Sequence, residues 1–151
     1  MNRRLAPIVA VIVSVAGCSG NATPTSPATT SSVLSPAGSW SGSISDPVSG
    51  EGTAQLSLSD RAPNSLTGTW SATFKNGDSF SGAAVAGLFA PTGYGVMLYV
   101  EPPPPCAGPG GSALLGFTLI NVAVTSSRLT AVAGRTSCNG TSFGTVNLSK
   151  Q

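Results

Sequence analysis

From Gly38 onward the chain alternates apolar and polar residues with a period of two. Trp40 and Ile44 are set among serines, and Ala54, Leu56 and Leu58 alternate with Thr53, Gln55 and Ser57. Leu66, Trp70, Ala72 and Phe74 share one parity, opposite Thr67, Thr69, Ser71 and Thr73. Successive side chains of a strand point to opposite faces, so this pattern predicts half-buried antiparallel strands, apolar inside and hydroxyl-bearing outside. Lys75-Asn76-Gly77-Asp78 then breaks the alternation before Phe80. Asn-Gly between alternating runs signals a hairpin, and a two-residue turn there needs positive φ at both central positions. Further strands are predicted over 79–87, 93–101, 113–121, 128–135 and 142–149, with the last turn at Cys138-Asn139-Gly140. No stretch offers helical spacing with caps.

Eight short antiparallel strands with brief connections fit an all-β, up-and-down barrel, in which closure removes exposed edges. A two-sheet β-sandwich is the alternative. Glycines inside the strands at Gly42, Gly68, Gly82, Gly95, Gly116 and Gly144 favour the barrel, because strand-interior glycine marks sharp bends or close backbone approach. Gly38-Ser39-Trp40 and Gly68-Thr69-Trp70 each place Trp two residues after Gly, with both tryptophans expected in the core. Together with Leu66-Thr67-Gly68-Thr69-Trp70, they resemble the opening hairpins of streptavidin-type barrels, and more broadly small lipocalin-like barrels. The resemblance covers about 40 residues and implies architecture alone. The later tryptophans that wall the ligand pocket of that family have no counterpart here, since Trp40 and Trp70 are the only two.

The N-terminus reads differently. Arg3 and Arg4 precede an apolar run from Leu5 to Val15, interrupted only by Ser14, and Val15-Ala16-Gly17-Cys18 follows. A charged start, a short apolar stretch and small residues before a cut site make an export signal that is too short to span as a helix. The segment resembles the lipobox of bacterial lipoproteins, which implies cleavage before Cys18 and lipid on its sulfur. Ser19 in place of aspartate implies, in a two-membrane cell, export to the outer membrane. Residues 19–37 carry no charge and no apolar period, and predict a solvated Ser/Thr/Pro-rich tether. The expected organisation is therefore a signal peptide over 1–17, lipidated Cys18 and tether over 18–37, and a barrel domain over 38–151.

Charge and cysteine usage narrow the chemistry. Without Arg3 and Arg4 the seven basic residues become five against five acidic ones. A neutral domain has no electrostatic reach for nucleic acid. Cys18 assigned to lipid leaves Cys106 and Cys138 as an even pair in an oxidising compartment, the arrangement expected of a disulfide. Two cysteines with no histidine are too few ligands for a metal site. The absence of histidine also removes the commonest general base. Asp46, Glu51, Asp60, Asp78 and Glu101 fall mostly where turns would place an acid.

The least ordinary stretch runs from Leu88 to Gly111, where Leu88, Phe89, Tyr94, Met97 and Tyr99 lead into Glu101, four prolines and Cys106. Tyr94 and Tyr99 beside that stiff segment are the candidate ligand-binding residues; otherwise these apolar residues are core. The expectation is a non-enzymatic, cofactor-free, lipid-anchored envelope module that is structural or contacts another envelope protein. The alternative is a barrel that takes a small apolar ligand or peptide at its mouth.

Overall fold

The computed structural model describes residues 33–89, 93–104, 114–138 and 140–151. Eight strands follow in order: β1 (Gly38–Asp46), β2 (Gly50–Ala62), β3 (Ser65–Phe74), β4 (Ser79–Phe89), β5 (Gly93–Tyr99), β6 (Leu114–Val124), β7 (Arg128–Ser137) and β8 (Gly140–Lys150). Each pairs antiparallel with the next, and β8 returns to β1, closing an up-and-down barrel. The sandwich alternative is thereby set aside. The alternation that predicted the strands is the one that fills the barrel. Trp40, Leu56, Trp70, Phe74, Phe117, Leu129 and Leu148 all point inward and are buried.

Closure depends on strands bending where a neighbour's backbone comes very close. A Cβ placed on Gly68 would sit 1.7 Å from the Ser57 carbonyl oxygen, and one on Gly144 would sit 1.8 Å from that of Ser45. No side chain can occupy that space, so glycine is required for contact and not for φ. Gly42, Gly82 and Gly116 make comparable approaches to neighbouring carbonyls, as the sequence led us to expect. Gly95 differs: its open face is covered by the Phe89 ring.

Several local expectations are corrected. The β3–β4 connection has positive φ only at Gly77. Gly77 N–H donates to the Phe74 carbonyl at 3.0 Å and Phe74 N–H to that of Asp78 at 2.8 Å, so the loop is three residues long. Asn76 relieves the need for a second positive φ by accepting the Asp78 N–H through its side chain at 3.0 Å. Strand β5 stops at Tyr99 and does not run to 101, because Val100 N–H turns to Leu115 and the following prolines have no N–H to offer. Strand β6 continues past 121 to Val124 through a register shift in which Asn121 takes φ 55°. The domain also begins earlier than residue 38, since Pro36 is fully buried and Ala37 packs on the core.

The glycine contacts give a direct test. Gly68→Ala and Gly144→Ala should each destabilise by about 1–3 kcal/mol, lowering Tm by several degrees in a thermal melt. Gly95→Ala, opposed only by a ring that can swing away, should cost less than either.

Candidate functional site

At the described residues the interior of the barrel is packed with apolar side chains. Trp70 meets Phe117 edge-on at 5.7 Å between ring centres, Phe117 stacks on Phe74 at 6.4 Å, and Phe74 meets Phe80 at 6.0 Å. Ala54, Ala72, Ala84, Ala86, Ala131 and Ala133 supply the small partners that let these rings fit. Both indole N–H groups have backbone acceptors: Trp40 donates to Pro36 O at 2.8 Å and Trp70 to Tyr99 O at 2.7 Å. The second bond requires Gly82, where a Cβ would lie 2.1 Å from that same Tyr99 oxygen.

Each mouth is closed in its own way. At the end where β1 begins, residues 33–37 cross the opening, with Pro36 buried and Val33 lying 3.8 Å from where a Gly93 side chain would start. Lys150 Nζ sits 5.4 Å over the Trp40 ring at this end. At the opposite end the stopper is polar. Asp46 on β1 and Arg135 on β7 both point inward, are buried, and form an ion pair. Ser49 N–H donates to Asp46 Oδ2 at 3.0 Å, Arg135 donates to Ser49 Oγ at 3.2 Å, and Ser49 Oγ donates to Asp78 Oδ2 at 2.9 Å. The chain of contacts ties β7, β1 and the β1–β2 and β3–β4 turns together across the mouth.

This clamp was not foreseen, yet its signal is in the sequence. Asp46 has the parity of Trp40 and Ile44, and Arg135 that of Leu129, Ala131 and Ala133. Charges at inward positions of a chain this poor in charge must find each other. Asp46 Oδ1 has no hydrogen-bond partner among the described residues, so the carboxylate depends on its other oxygen and on Arg135. Asp78 is held below the ordinary aspartate range by the Asn76 amide and the Ser49 hydroxyl, with Arg135 adding to the effect and burial opposing it. Glu51 is likewise lowered, by Lys75. Asp46 and Asp78 thus belong to the clamp, and Glu51 pairs with Lys75 on the exposed surface. Among the described residues, no three His, Cys, Asp or Glu side chains gather to hold a metal.

The two candidate tyrosines lie on opposite faces of one strand. Tyr94 points inward and is 8% exposed, whereas Tyr99 points outward and is 45% exposed. Their odd separation in a period-two element decides this, so they cannot share a site across the wall. Cys138 lies in the β7–β8 turn, while Cys106 and Cys18 fall outside the described residues. The β5–β6 and β7–β8 connections lie at the same end of the barrel.

What the residues of this stretch do share is the outer wall. Phe89, Met97 and Ile120 are 59%, 42% and 41% exposed, and with Tyr99 they are neither core nor part of the proline loop. Phe89, Met97 and Ile120 line, together with Gly87 and Gly95, a groove of about 620 Å³. Strands β4, β5 and β6 contain no charged residue at all. Around the other side, the outward positions of β1 to β3 are Ser, Thr and Gln apart from Glu51 and the exposed end of β2 at Asp60, Arg61 and Ala62. The wall is thus two-faced around its circumference.

Removing Arg135 would leave Asp46 buried and uncompensated. Arg135→Ala should therefore cost about 3–5 kcal/mol, and the double variant Asp46→Leu/Arg135→Met appreciably less. For Asp78 the sign follows from its lowered pKa. The folded state binds the proton more weakly, so the contribution is full above the ordinary value of 3.8 and is lost as pH falls through the lower folded value. Asp78→Asn should flatten the acid limb of stability against pH, measured by denaturant melts.

Comparison with protein-family models and with curated proteins gives no match. Among solved structures, the barrel is similar to a de novo designed fluorescence-activating beta barrel, with 14% identity and a TM-score of 0.52, covering 76% of this chain and 93% of that one. At that identity the likeness is one of fold: a closed barrel of this kind.

Proposed function

We propose that this chain is a lipid-anchored cell-envelope module, attached through Cys18, whose barrel acts by surface contact and performs no chemistry of its own. The observation that carries this reading is the filled interior with both mouths stoppered, by residues 33–37 at one end and by the Asp46–Arg135 clamp at the other. An interior of that kind is occupied by the protein's own side chains, so contacts fall to the outer wall. The lipobox-like Val15-Ala16-Gly17-Cys18 supplies the location. Burying acyl carbons contributes about 0.8 kcal/mol per methylene, and more than one chain makes attachment stable. Residues 19–32 then serve as the tether. Pairing of Cys106 with Cys138 belongs to the same reading, since the two connections that carry them lie at one end of the barrel.

Expression in a bacterial host with radiolabelled palmitate tests the anchor. The wild type should take label and fractionate with membranes, and Cys18→Ala should do neither as a processed protein. A wild type without label sinks the reading. For the disulfide, reductant should lower Tm by several degrees, consistent with roughly 3–4 kcal/mol for a loop of this length. Cys106→Ser/Cys138→Ser should melt where the reduced protein does.

A further inference from the structure

We infer that the apolar half of the barrel wall, over β4, β5 and β6, rests on the lipid bilayer, so that the domain lies on its side against the membrane that anchors it. The inference builds on the anchor proposed at Cys18 and names the surface that the module contacts. Its first ground is the path of the chain. Residues 33–37 start from the edge of β1 and run across the mouth to Gly93 at the head of β5. In a closed barrel of eight strands, β5 stands diametrically opposite β1. The segment thus carries the point of attachment from one side of the barrel to the other and delivers it to the rim of the apolar wall. Had the chain entered β1 directly, the tether would leave from the hydroxyl side.

The second ground is what that wall is made of. Phe89, Met97, Tyr99 and Ile120 are exposed, with half-buried Val85 beside them, on strands that have no charged residue and whose other exposed positions are the neutral Ser79, Ser81, Thr118, Asn121 and Ala123. An apolar, uncharged surface with aromatic residues is what the boundary between headgroups and acyl chains accepts, whereas charged side chains would resist it. Exposed apolar side chains gathered on one side of a domain mark a contact surface more often than the same residues scattered singly. The third ground is reach. Fourteen residues separate Cys18 from Val33, and a chain of that length reaches at most about 50 Å fully extended, so the rim at Gly93 stays within that distance of the bilayer. A wall on the attachment side, at that distance, is held at high effective concentration over the surface it fits.

The test uses the full lipidated protein in vesicles of phosphatidylethanolamine and phosphatidylglycerol that contain a headgroup-level nitroxide lipid. An environment-sensitive fluorophore is placed on Met97→Cys or, as a second variant of the same wall, Val85→Cys, and for comparison on Thr69→Cys of the hydroxyl wall. All three positions face outward, so the barrel should keep its wild-type melting curve. The fluorophore at 97 and at 85 should be quenched several-fold more than at 69. Equal quenching at all three in protein that floats with the vesicles overturns the inference and leaves the anchor standing. A blue-shifted but unquenched signal at 97 overturns it in favour of a protein cover, such as a second copy. Protein that does not float with the vesicles sinks the anchor and this inference together.

Discussion

The whole architecture rests on a steric allowance: at a few positions one strand's backbone sits where its neighbour's Cβ would be. The approaches of Ser57 O to Gly68 and of Ser45 O to Gly144 bend the sheet tightly enough for β8 to reach β1. Closure then decides the rest. It leaves no edge strand, so the fold cannot recruit a partner by adding a strand. It also fixes a narrow interior, which two tryptophans and a row of phenylalanines fill once alanines make room for them. A barrel that has spent its interior on packing has only its outside left for recognition.

The two stoppers solve the same problem with different chemistry. At the Trp40 mouth, burial of Pro36 and the indole bond to its carbonyl combine an apolar plug with one satisfied polar group. At the other mouth the ends of β1 and β7 meet through Asp46 and Arg135, which must be desolvated together to be tolerated at all. Such a pair adds little net stability compared with a well-packed apolar substitute. It does penalise any register in which one charge is buried without the other. A shift of β7 against β8 by one residue would turn Arg135 outward and strand Asp46 inside, so the clamp acts as a pin on the closure. Ser49 and Asp78 extend the pin into two turns that would otherwise be free to fray.

How much of this is legible in the sequence depends on the range of the interaction responsible. Period-two alternation is local, and it yields β1 to β3 and the inward placement of Trp40 and Trp70 without any tertiary knowledge. The in-strand glycines announce bending for the same reason, although which carbonyl each admits depends on pairing. Contacts between distant segments are harder. Asp46 and Arg135 are 89 residues apart, and only the observation that both share the parity of buried neighbours points to them. The plug at 33–37 escapes because Ser, Pro and Ala look like tether until a mouth exists for them to cross. Tyr94 and Tyr99 were separable in advance, since an odd spacing puts them on opposite sides of any strand.

The uneven outer wall is the one feature that closure does not require. A chain with charged residues at only 8% must keep its surface wet by other means, and the Ser, Thr and Gln positions of β1 to β3 do so with neutral hydroxyls and amides. Strands β4, β5 and β6 use the same device only at Ser79, Ser81, Thr118 and Asn121, and set Val85, Phe89, Met97, Tyr99 and Ile120 among them. The Phe89 ring covers Gly95, but Met97, Tyr99 and Ile120 lie outside the core and are more than two-fifths exposed, so packing does not account for those three. Turn chemistry does not account for them either, since all three lie within strands. Apolar side chains left in water contribute nothing to stability, so a surface that concentrates them on one arc, beside the rim to which the N-terminal segment leads, gains from them only when that arc is covered.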